Sequence, residues 1–254
     1  MASLFAARFR QGKRTIAFPD SEPKLSARFR GLPIVDQSRC ESGCDACMQA
    51  CPTDAISRNG ATQIDLGRCL FCPECTNACP QGAIQFGPQY QMATSKRADL
   101  RLNSSESITL AHRMADDIHR ILGRSLKLRQ VSAGGCSGCE AEVNVLNTVV
   151  FDLGRFGIQF VASPRHADGL LITGPVTRNM RLALEKTYAA VPEPKIVIAV
   201  GACAISGGPF IDSPQVFNGA ESLLPVDLFV PGCPPHPVTI LDGLLRLIGK
   251  IETR

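Results

Sequence analysis

The sequence lacks several features that would assign it to a common functional class. It has no run approaching the roughly 20 apolar residues that a transmembrane helix needs, no apolar secretion segment behind its first basic residues, and no adjacent arginine pair of the kind that marks export. A net charge of +4 is too small to indicate nucleic-acid binding by itself. No catalytic triad, phosphate-binding loop or catalytic carboxylate pair stands out. We therefore expect a protein on the cytoplasmic side of the membrane that contacts the membrane only through partners.

Cysteine, by contrast, is abundant, with twelve residues in a chain of 254. Twelve is three times four, the number of thiolates that a tetrahedral metal site or a cubane cluster takes. A chain of this length with 44 % apolar residues buries enough core to fold without disulfide staples. The count therefore favours metal or cluster ligation over disulfides. The cysteines are Cys40, Cys44, Cys47, Cys51, Cys69, Cys72, Cys75, Cys79, Cys136, Cys139, Cys203 and Cys233.

Composition divides the chain into four parts. Residues 1–33 form a basic arm. Residues 34–90 hold eight of the cysteines and almost no periodic apolar pattern, so this part needs covalent staples or bound metal to fold. Residues 91–125 are predicted to be a linker followed by a helix. Residues 126–254 alternate short apolar strands with helices, which predicts an α/β domain with a parallel sheet.

The basic arm carries seven arginine and lysine residues. This pattern allows a solvated arm, an arm that lies along a partner subunit, or a segment that binds phosphate or lipid. In the linker, apolar side chains recur at helical spacing from Ile108 to Leu122, and Gly123 follows them. We therefore predict a single helix over 104–123. His112 and His119 lie on it without a metal-binding partner in the sequence, so we expect both at the surface.

The first eight cysteines form two similar runs, "CESGCDACMQACP" and "CLFCPECTNACP". The second run has the spacing C-x2-C-x2-C-x3-C-P of bacterial two-cluster ferredoxins, and the first has one residue inserted. Aligning "CPTDAI" with "CPQGAI" gives a 28-residue internal repeat, which predicts a two-fold pseudosymmetric fold. Zinc ribbons instead use two C-x2-C pairs about 15–20 residues apart, so the runs favour iron–sulfur clusters over zinc.

The two runs resemble a bacterial-type ferredoxin domain over roughly residues 34–88. In such domains, the fourth cysteine of each run binds the cluster of the other run. The resemblance implies an α+β ferredoxin-like domain that holds two [4Fe–4S] clusters. The expected ligands are Cys40, Cys44, Cys47 and Cys79 for the first cluster and Cys69, Cys72, Cys75 and Cys51 for the second.

The remaining four cysteines each follow a predicted strand. Cys136 and Cys139 come after "LKLRQVSAGG", Cys203 after "IVIAVGA" and Cys233 after "VDLFVPG". Because the carboxyl ends of parallel strands share one edge of a sheet, four thiolates can converge there. Neighbouring glycines let the backbone approach a bulky cofactor closely. We therefore predict a third [4Fe–4S] site, since a thioredoxin-like dithiol at "CSGC" would leave Cys203 and Cys233 unexplained.

Four motifs in order, "GGCSGCEAEV", "SPRHADGLLITGPVTRNM", "VGACAISGGPF" and "PGCPPHP", resemble the small subunit of membrane-bound, energy-converting [NiFe] hydrogenases of the formate hydrogenlyase type. They are also similar to the complex I subunit that carries the terminal cluster beside the quinone site. The resemblance covers about residues 126–248 and implies a flavodoxin-like fold. It also implies a cluster proximal to the large subunit's active site, with the ligands Cys136, Cys139, Cys203 and Cys233.

Two details refine the resemblance. Ser137 and Gly138 separate the first two ligands, as in hydrogenases, whereas the two are adjacent in the complex I relatives. The ferredoxin-like part is fused here, although in many of these complexes it is a separate polypeptide. Glu140 is expected to face the partner or to belong to a proton route. His236 is expected to have a packing or interface role, with tuning of the cluster by hydrogen bonding as the alternative, and His166 is expected to be structural.

The resemblance implies an iron–sulfur electron-transfer subunit of a multi-subunit oxidoreductase. Electrons would pass through three [4Fe–4S] clusters to or from a [NiFe] large subunit, which performs the bond chemistry. Membrane-arm subunits and a further electron donor or acceptor protein would complete the complex at the cytoplasmic face of the membrane, without nucleic acid. Two alternatives stay open. A complex I-like quinone or ferredoxin oxidoreductase would have a large subunit without NiFe, and a free-standing polyferredoxin carrier would be a stable monomer.

Overall fold

The computed structural model describes residues 2–103, 107–123 and 125–251. In the amino-terminal half, helices and strands are short. They are α1 Ala2–Gln11, β1 Pro33–Val35, α2 Ala46–Gln49, β2 Ile56–Asn59, β3 Ala61–Asp65, α3 Glu74–Ala78, β4 Ile84–Phe86 and β5 Arg101–Asn103.

The carboxy-terminal half alternates strands and helices. Its elements are α4 Asp116–Leu122, β6 Leu126–Ser132, α5 Gly138–Val145, β7 Ile158–Phe160, β8 Gly169–Thr173, α6 Arg178–Ala190, β9 Ile196–Val200, α7 Ala202–Ser206, β10 Leu228–Val230 and α8 Pro237–Leu247. Within the described residues, no helix has both the length and the apolar character needed to cross a membrane.

The amino-terminal half contains two similar copies that follow the sequence repeat. Strand β1 pairs antiparallel with β4, and β2 pairs antiparallel with β3, which in turn pairs with β5. Helices α2 and α3 begin 28 residues apart, as do β2 and β4. The register matches too, because Ile84 lies opposite Val35 and the repeat-related Ile56 lies opposite Ile64. The β1–β4 pair and the β2–β3 pair therefore each take one strand from each copy, and these pairs connect the two copies.

The carboxy-terminal half contains a five-stranded parallel sheet with the strand order β10-β9-β8-β6-β7. Counted within this half and read from the other edge, the order is 2-1-3-4-5, the flavodoxin-like arrangement. Strands β8 and β9 have the sequences GLLIT and IVIAV and are buried along their whole length. This is the pattern of strands that are covered on both faces. The flavodoxin-like α/β prediction is confirmed.

The two halves share part of their hydrophobic core. Leu66 from the first half packs in one buried cluster with Ile205 and Phe229 from the second. The Ser206 hydroxyl donates to the Gly67 carbonyl oxygen at 2.8 Å. A Cβ atom on Gly67 would lie only 2.7 Å from Ile205 Cγ2. Because close-packed interiors resist sliding, this contact holds the cysteine loops of the two halves in fixed relative positions.

The basic arm divides into an exposed and a packed segment. Residues 3–14 are exposed, and on α1 the side chains of Phe5 and Phe9 are 74 % and 91 % exposed. Further along, the Ile16 N–H donates to the Val150 carbonyl oxygen at 2.9 Å, so the arm lies on the carboxy-terminal half. A solvated arm therefore describes only the first of these segments.

The linker helix is shorter than the sequence predicts. Residues 107–115 are not helical, and residues 104–106 of the predicted helix lie outside the described residues. Within this stretch, the Ala111 N–H donates to the Ala93 carbonyl oxygen at 2.7 Å, and the Ala111 side chain is 1 % exposed. This tertiary hydrogen bond and burial outweigh the local helical pattern, which is a weak preference by comparison.

Candidate functional site

The first group of cysteines surrounds a cavity between the two copies of the repeat. Its thiols belong to Cys40, Cys44, Cys47 and Cys79, and about 360 Å³ of the cavity is free of protein atoms, counting its opening to solvent. Cys47 lies on α2, whereas Cys79 follows α3. The structure thus brings the fourth cysteine of the second run beside the first three of the first run.

The second group surrounds a cavity of the same size. It is lined by Cys51, Cys69, Cys72 and Cys75, again with about 360 Å³ free of protein atoms. Burial raises the pKa of the Cys69 thiol to about 12. The positive charge of a bound metal would favour the thiolate at this position.

Backbone N–H groups point at the sulfur atoms in both cavities. The Ala55 N–H donates to Cys51 Sγ at 3.2 Å, and the repeat-related Ala83 N–H donates to Cys79 Sγ at the same distance. Burial raises the pKa of the Cys79 thiol, but hydrogen bonds from Ala83 and adjacent N–H groups outweigh it and leave the pKa below its ordinary value. Such bonds stabilise negative charge on sulfur.

The third group lies at the carboxyl edge of the parallel sheet. Cys136 follows β6, Cys139 lies on α5, Cys203 lies on α7 after β9, and Cys233 follows β10. Burial, followed by the charges of Cys233 and Cys136, raises the pKa of the Cys203 thiol to about 12. Burial also raises the pKa of the Cys139 thiol, and the charges of Cys203 and Cys233 contribute in the same direction. All four cysteines therefore lie at the same edge of the parallel sheet.

Glycines line the space around the third group. A Cβ atom on Gly201, where φ is +91°, would lie 2.5 Å from Cys139 Sγ. A Cβ atom on Gly208, where φ is +54°, would lie 2.9 Å from Cys203 Sγ. Both positions favour glycine through conformation and through space, so the backbone can approach the sulfur atoms closely.

Replacing Gly201 with alanine is expected to disturb the third group alone. The positive φ at Gly201 strains any side chain by about 1–3 kcal/mol, and the new methyl group would displace Cys139 Sγ. We expect iron bound at the third group to fall while iron at the other two is retained, as measured by iron analysis and electron paramagnetic resonance (EPR). Gly154→Ala is the matched control, because a Cβ atom on Gly154 meets nothing within 4 Å. Equal iron in the two variants would contradict this role for Gly201.

The second and third groups are neighbours. Burial raises the pKa of the Cys233 thiol, and the charges of Cys136 and of Cys72 raise it further. Leu70 and Phe71, which lie between Cys69 and Cys72, line one cavity together with Cys233. The loop between Cys69 and Cys72 of the ferredoxin-like half thus lines the same cavity as a cysteine of the third group.

Glu140 is held at the sheet edge beside the third group. Its Oε1 accepts hydrogen bonds from the Ser132 hydroxyl at 2.5 Å and the Thr173 hydroxyl at 2.8 Å. Ser132 and Thr173 lie opposite each other in β6 and β8. Thr173 lies within one of the four motifs and Ser132 lies outside them, but neither motif nor spacing predicts their contact with Glu140, because it depends on the register of two strands that are distant along the chain.

The histidines either lie apart from the cysteine groups or form hydrogen bonds with the backbone. The His236 ring caps α8 and packs edge-on against Phe29, with the ring centroids 5.5 Å apart. Nε2 of His119 lies 3.1 Å from a carbonyl oxygen at the end of α8, and His112 and His166 are exposed. Among the described residues, no group of three or more His, Cys, Asp or Glu side chains is spaced to hold a single metal ion.

The donor chemistry of all three groups fits iron–sulfur clusters. Thiolates are the ligands that such clusters take, and N–H groups near sulfur tune them. The cavities of the first two groups and the glycine-lined edge of the third leave space among the thiols.

The chain matches two known families. Residues 136–247 match the family of the 20 kDa subunit of NADH ubiquinone oxidoreductase. Residues 39–83 match the 4Fe-4S dicluster domain family. The first match contains the third group, and the second contains the first two groups.

Relatives of the chain occur in hydrogenases and in NADH-quinone oxidoreductases. A probable membrane-bound hydrogenase subunit of Pyrococcus furiosus is 43 % identical over 149 residues, which cover 59 % of this chain and 89 % of the relative. Formate hydrogenlyase subunit 7 of Escherichia coli is 46 % identical over 52 % of this chain, and the match spans only 51 % of that protein. An NADH-quinone oxidoreductase subunit of Clostridium beijerinckii is 47 % identical over 46 % of this chain and 70 % of the relative.

Proposed function

We propose, since this chain belongs to the family of the 20 kDa subunit of NADH ubiquinone oxidoreductase, that it is the iron–sulfur electron-transfer subunit of a hydrogenase-type or complex I-like oxidoreductase complex. The 4Fe-4S dicluster match and the relatives in both kinds of complex support this role. Catalysis lies in a partner subunit. The observation that carries the proposal is the cavity that Leu70 and Phe71, which lie between Cys69 and Cys72, line together with Cys233, because it links the two cluster-binding halves.

The cofactors in this proposal are three [4Fe–4S] clusters, one at each group of thiols. When bound, such clusters supply one-electron transfer at potentials of about −700 to +450 mV, set by charge, hydrogen bonds and exposure. The chain itself provides four thiolates per cluster and N–H groups aimed at sulfur. The ligands are Cys40, Cys44, Cys47 and Cys79 at the first group, Cys51, Cys69, Cys72 and Cys75 at the second, and Cys136, Cys139, Cys203 and Cys233 at the third.

The path of the electrons runs along the three groups in order. The third group lies at the sheet edge and faces the catalytic partner. The second group is next, because Leu70 and Phe71 of the Cys69–Cys72 loop line one cavity with Cys233. The first group is tied to the second by the repeat and lies at the other end of the path. Phe71 is buried and lines a cavity together with Cys233 of the third group.

Each of the four parts of the chain has its own role in this proposal. Residues 34–90 carry the first two clusters, and residues 126–254 carry the third. Residues 91–125 connect them, and residues 1–33 form the basic arm. The core shared between the halves supports a single rigid carrier in which cluster distances are constant.

The partner favoured by the sequence is a [NiFe] large subunit. Ser137, with φ at +69°, and Gly138 separate the first two cysteines of the third group, which is the hydrogenase-like spacing. The chain would lie peripherally at the cytoplasmic face, with membrane-arm subunits and a further electron donor or acceptor protein. The second candidate is a complex I-like enzyme without NiFe, which the NADH-quinone oxidoreductase relatives favour.

Anaerobic purification through a tag on this chain tests the partner. We expect a large subunit to co-purify with stoichiometric nickel, measured by elemental analysis of the complex. A large subunit without nickel would favour the complex I-like enzyme. A stable monomer that transfers electrons without any large subunit would overturn both and leave a free carrier.

A further inference from the structure

The first and second cysteine cavities correspond residue by residue. Each residue that lines the second cavity has a repeat-related counterpart that lines the first. The inserted residue in the first run makes the separation 29 positions before it and 28 after it. One cavity therefore serves as an internal control for the other. Counterparts of the same character are Val35 and Ile64, Pro80 and Pro52, Ala83 and Ala55, and Ile84 and Ile56.

The two cavities differ most at one cross-strand pair. Arg58 and Thr62 lie opposite each other in β2 and β3. Arg58 Nη2 donates to Cys40 Sγ at 3.0 Å, and Thr62 Oγ1 lies 3.8 Å from the same sulfur. The counterpart pair in β4 and β1 is Phe86 and Pro33, neither of which carries a side-chain donor. Only the first cavity therefore provides side-chain hydrogen bonds to sulfur from this position.

The two cavities also differ in charge, because charged side chains line the first cavity and none lines the second among the described residues. Arg39 and Arg58 line the first cavity with a single carboxylate, Glu41. Among the described residues, the second cavity is lined by its cysteines, by apolar residues and by Thr53. Reduction adds an electron to a cluster, so positive charge and N–H···S bonds favour the reduced form and raise the potential.

We propose that the Arg58–Thr62 pair makes the first cluster the electron sink of the ferredoxin-like half, reduced at a higher potential than the second cluster. This inference rests on the proposed function, because it requires clusters at both groups. One electron leaves the second cluster, which is oxidised, and enters the first, which is reduced. Electrons that arrive from the third group through the second then collect at the far end of the path.

The decisive variant is Arg58→Phe, which gives the first cavity the residue found in the second. A hydrogen bond to a charged group is worth about tenfold in an equilibrium constant. At a fixed potential we therefore expect the ratio of reduced to oxidised first cluster to fall about tenfold, a shift of about 59 mV for a one-electron couple. The second cluster's potential should be unchanged. The measurement is a redox titration of the purified complex followed by EPR, in which the first cluster's signal is the one lost in Cys47→Ser.

Three further variants separate this role from a structural one. Arg58→Lys keeps the charge and is expected to restore part of the shift, and Thr62→Val is expected to give a smaller shift in the same direction. Arg101→Gln is the matched control, because Arg101 lies in the same sheet with a side chain 71 % exposed and lines neither cavity. Its potentials should equal those of the unchanged protein.

Iron and sulfide analysis distinguishes failure of this inference from failure of the proposed function. Full iron with unchanged potentials in Arg58→Phe and Thr62→Val would overturn the inference and leave the function standing. A first cluster with the lower potential in the unchanged protein would also overturn it. Absence of clusters from the unchanged protein would overturn the proposed function. If Arg58→Phe loses the first cluster, the inference is tested by the potential of the first cluster in Arg58→Lys and Thr62→Val. Unchanged potentials in both variants would overturn it.

Discussion

Replacing Cys203 with serine is expected to remove about four of the chain's roughly twelve irons, because one [4Fe–4S] cluster is lost. Cys203 is 7 % exposed and lies on α7 among the other thiols of the third group. Serine offers a hard oxygen where iron–sulfur clusters take soft thiolate. Electron transfer to the partner should fall to background, because the proposed path places the third group next to the partner. Iron and sulfide analysis, EPR and electron-transfer rates measure these losses.

The other two clusters serve as the control within the Cys203→Ser variant. Their cavities lie in the ferredoxin-like half, so their EPR signals should match those of the unchanged protein. Full retention of iron would show that Cys203 is not a ligand. Loss of all iron would show that the three groups do not bind independently.

Replacing Cys75 with serine is expected to have the reciprocal effect. Cys75 is 9 % exposed and lies on α3 at the second cavity. Its loss should remove the second cluster and interrupt the path between the first and third groups. The third cluster should stay, because its ligands come from the other half. Fast electron transfer from the third to the first cluster should cease, and rapid-freeze EPR measures it.

The Cys75→Ser and Cys203→Ser variants are matched controls for each other, since both replace a buried thiol with the same hydroxyl. Each should spare the cluster that the other removes. Loss of iron from both halves in Cys75→Ser would contradict the division into two cluster-binding halves. It would indicate that the shared core around Phe229 depends on the second cluster.

The flavodoxin-like fold could be predicted because its strands carry strong local signals. The apolar runs of β8 and β9 mark strands buried on both faces, and their alternation with helices leaves few possible topologies. The predicted helix over 104–123 was wrong in length because a tertiary contact, and not a local signal, determines the structure of its first part. The Ala111 backbone bonds to Ala93, a contact that no local pattern reveals.

Within the candidate site, the cysteines could be predicted and their surroundings could not. Cysteine spacing within each run is local, and the structure gathers the thiols into three groups, although ligation itself stays a prediction. The hydroxyls of Ser132 and Thr173 reach Glu140 through the register of β6 and β8. Arg58 likewise reaches Cys40 across the fold. Such contacts depend on strand pairing, which the sequence does not display.

The central claim is that this one chain binds three clusters. Anaerobic purification, followed by protein, iron and acid-labile sulfide analysis with Mössbauer spectroscopy, tests it most directly. We predict about twelve irons and about twelve sulfides per chain, all in [4Fe–4S] clusters. About eight irons in the unchanged protein, with the same eight in Cys203→Ser, would contradict the third site and with it the electron path to the partner.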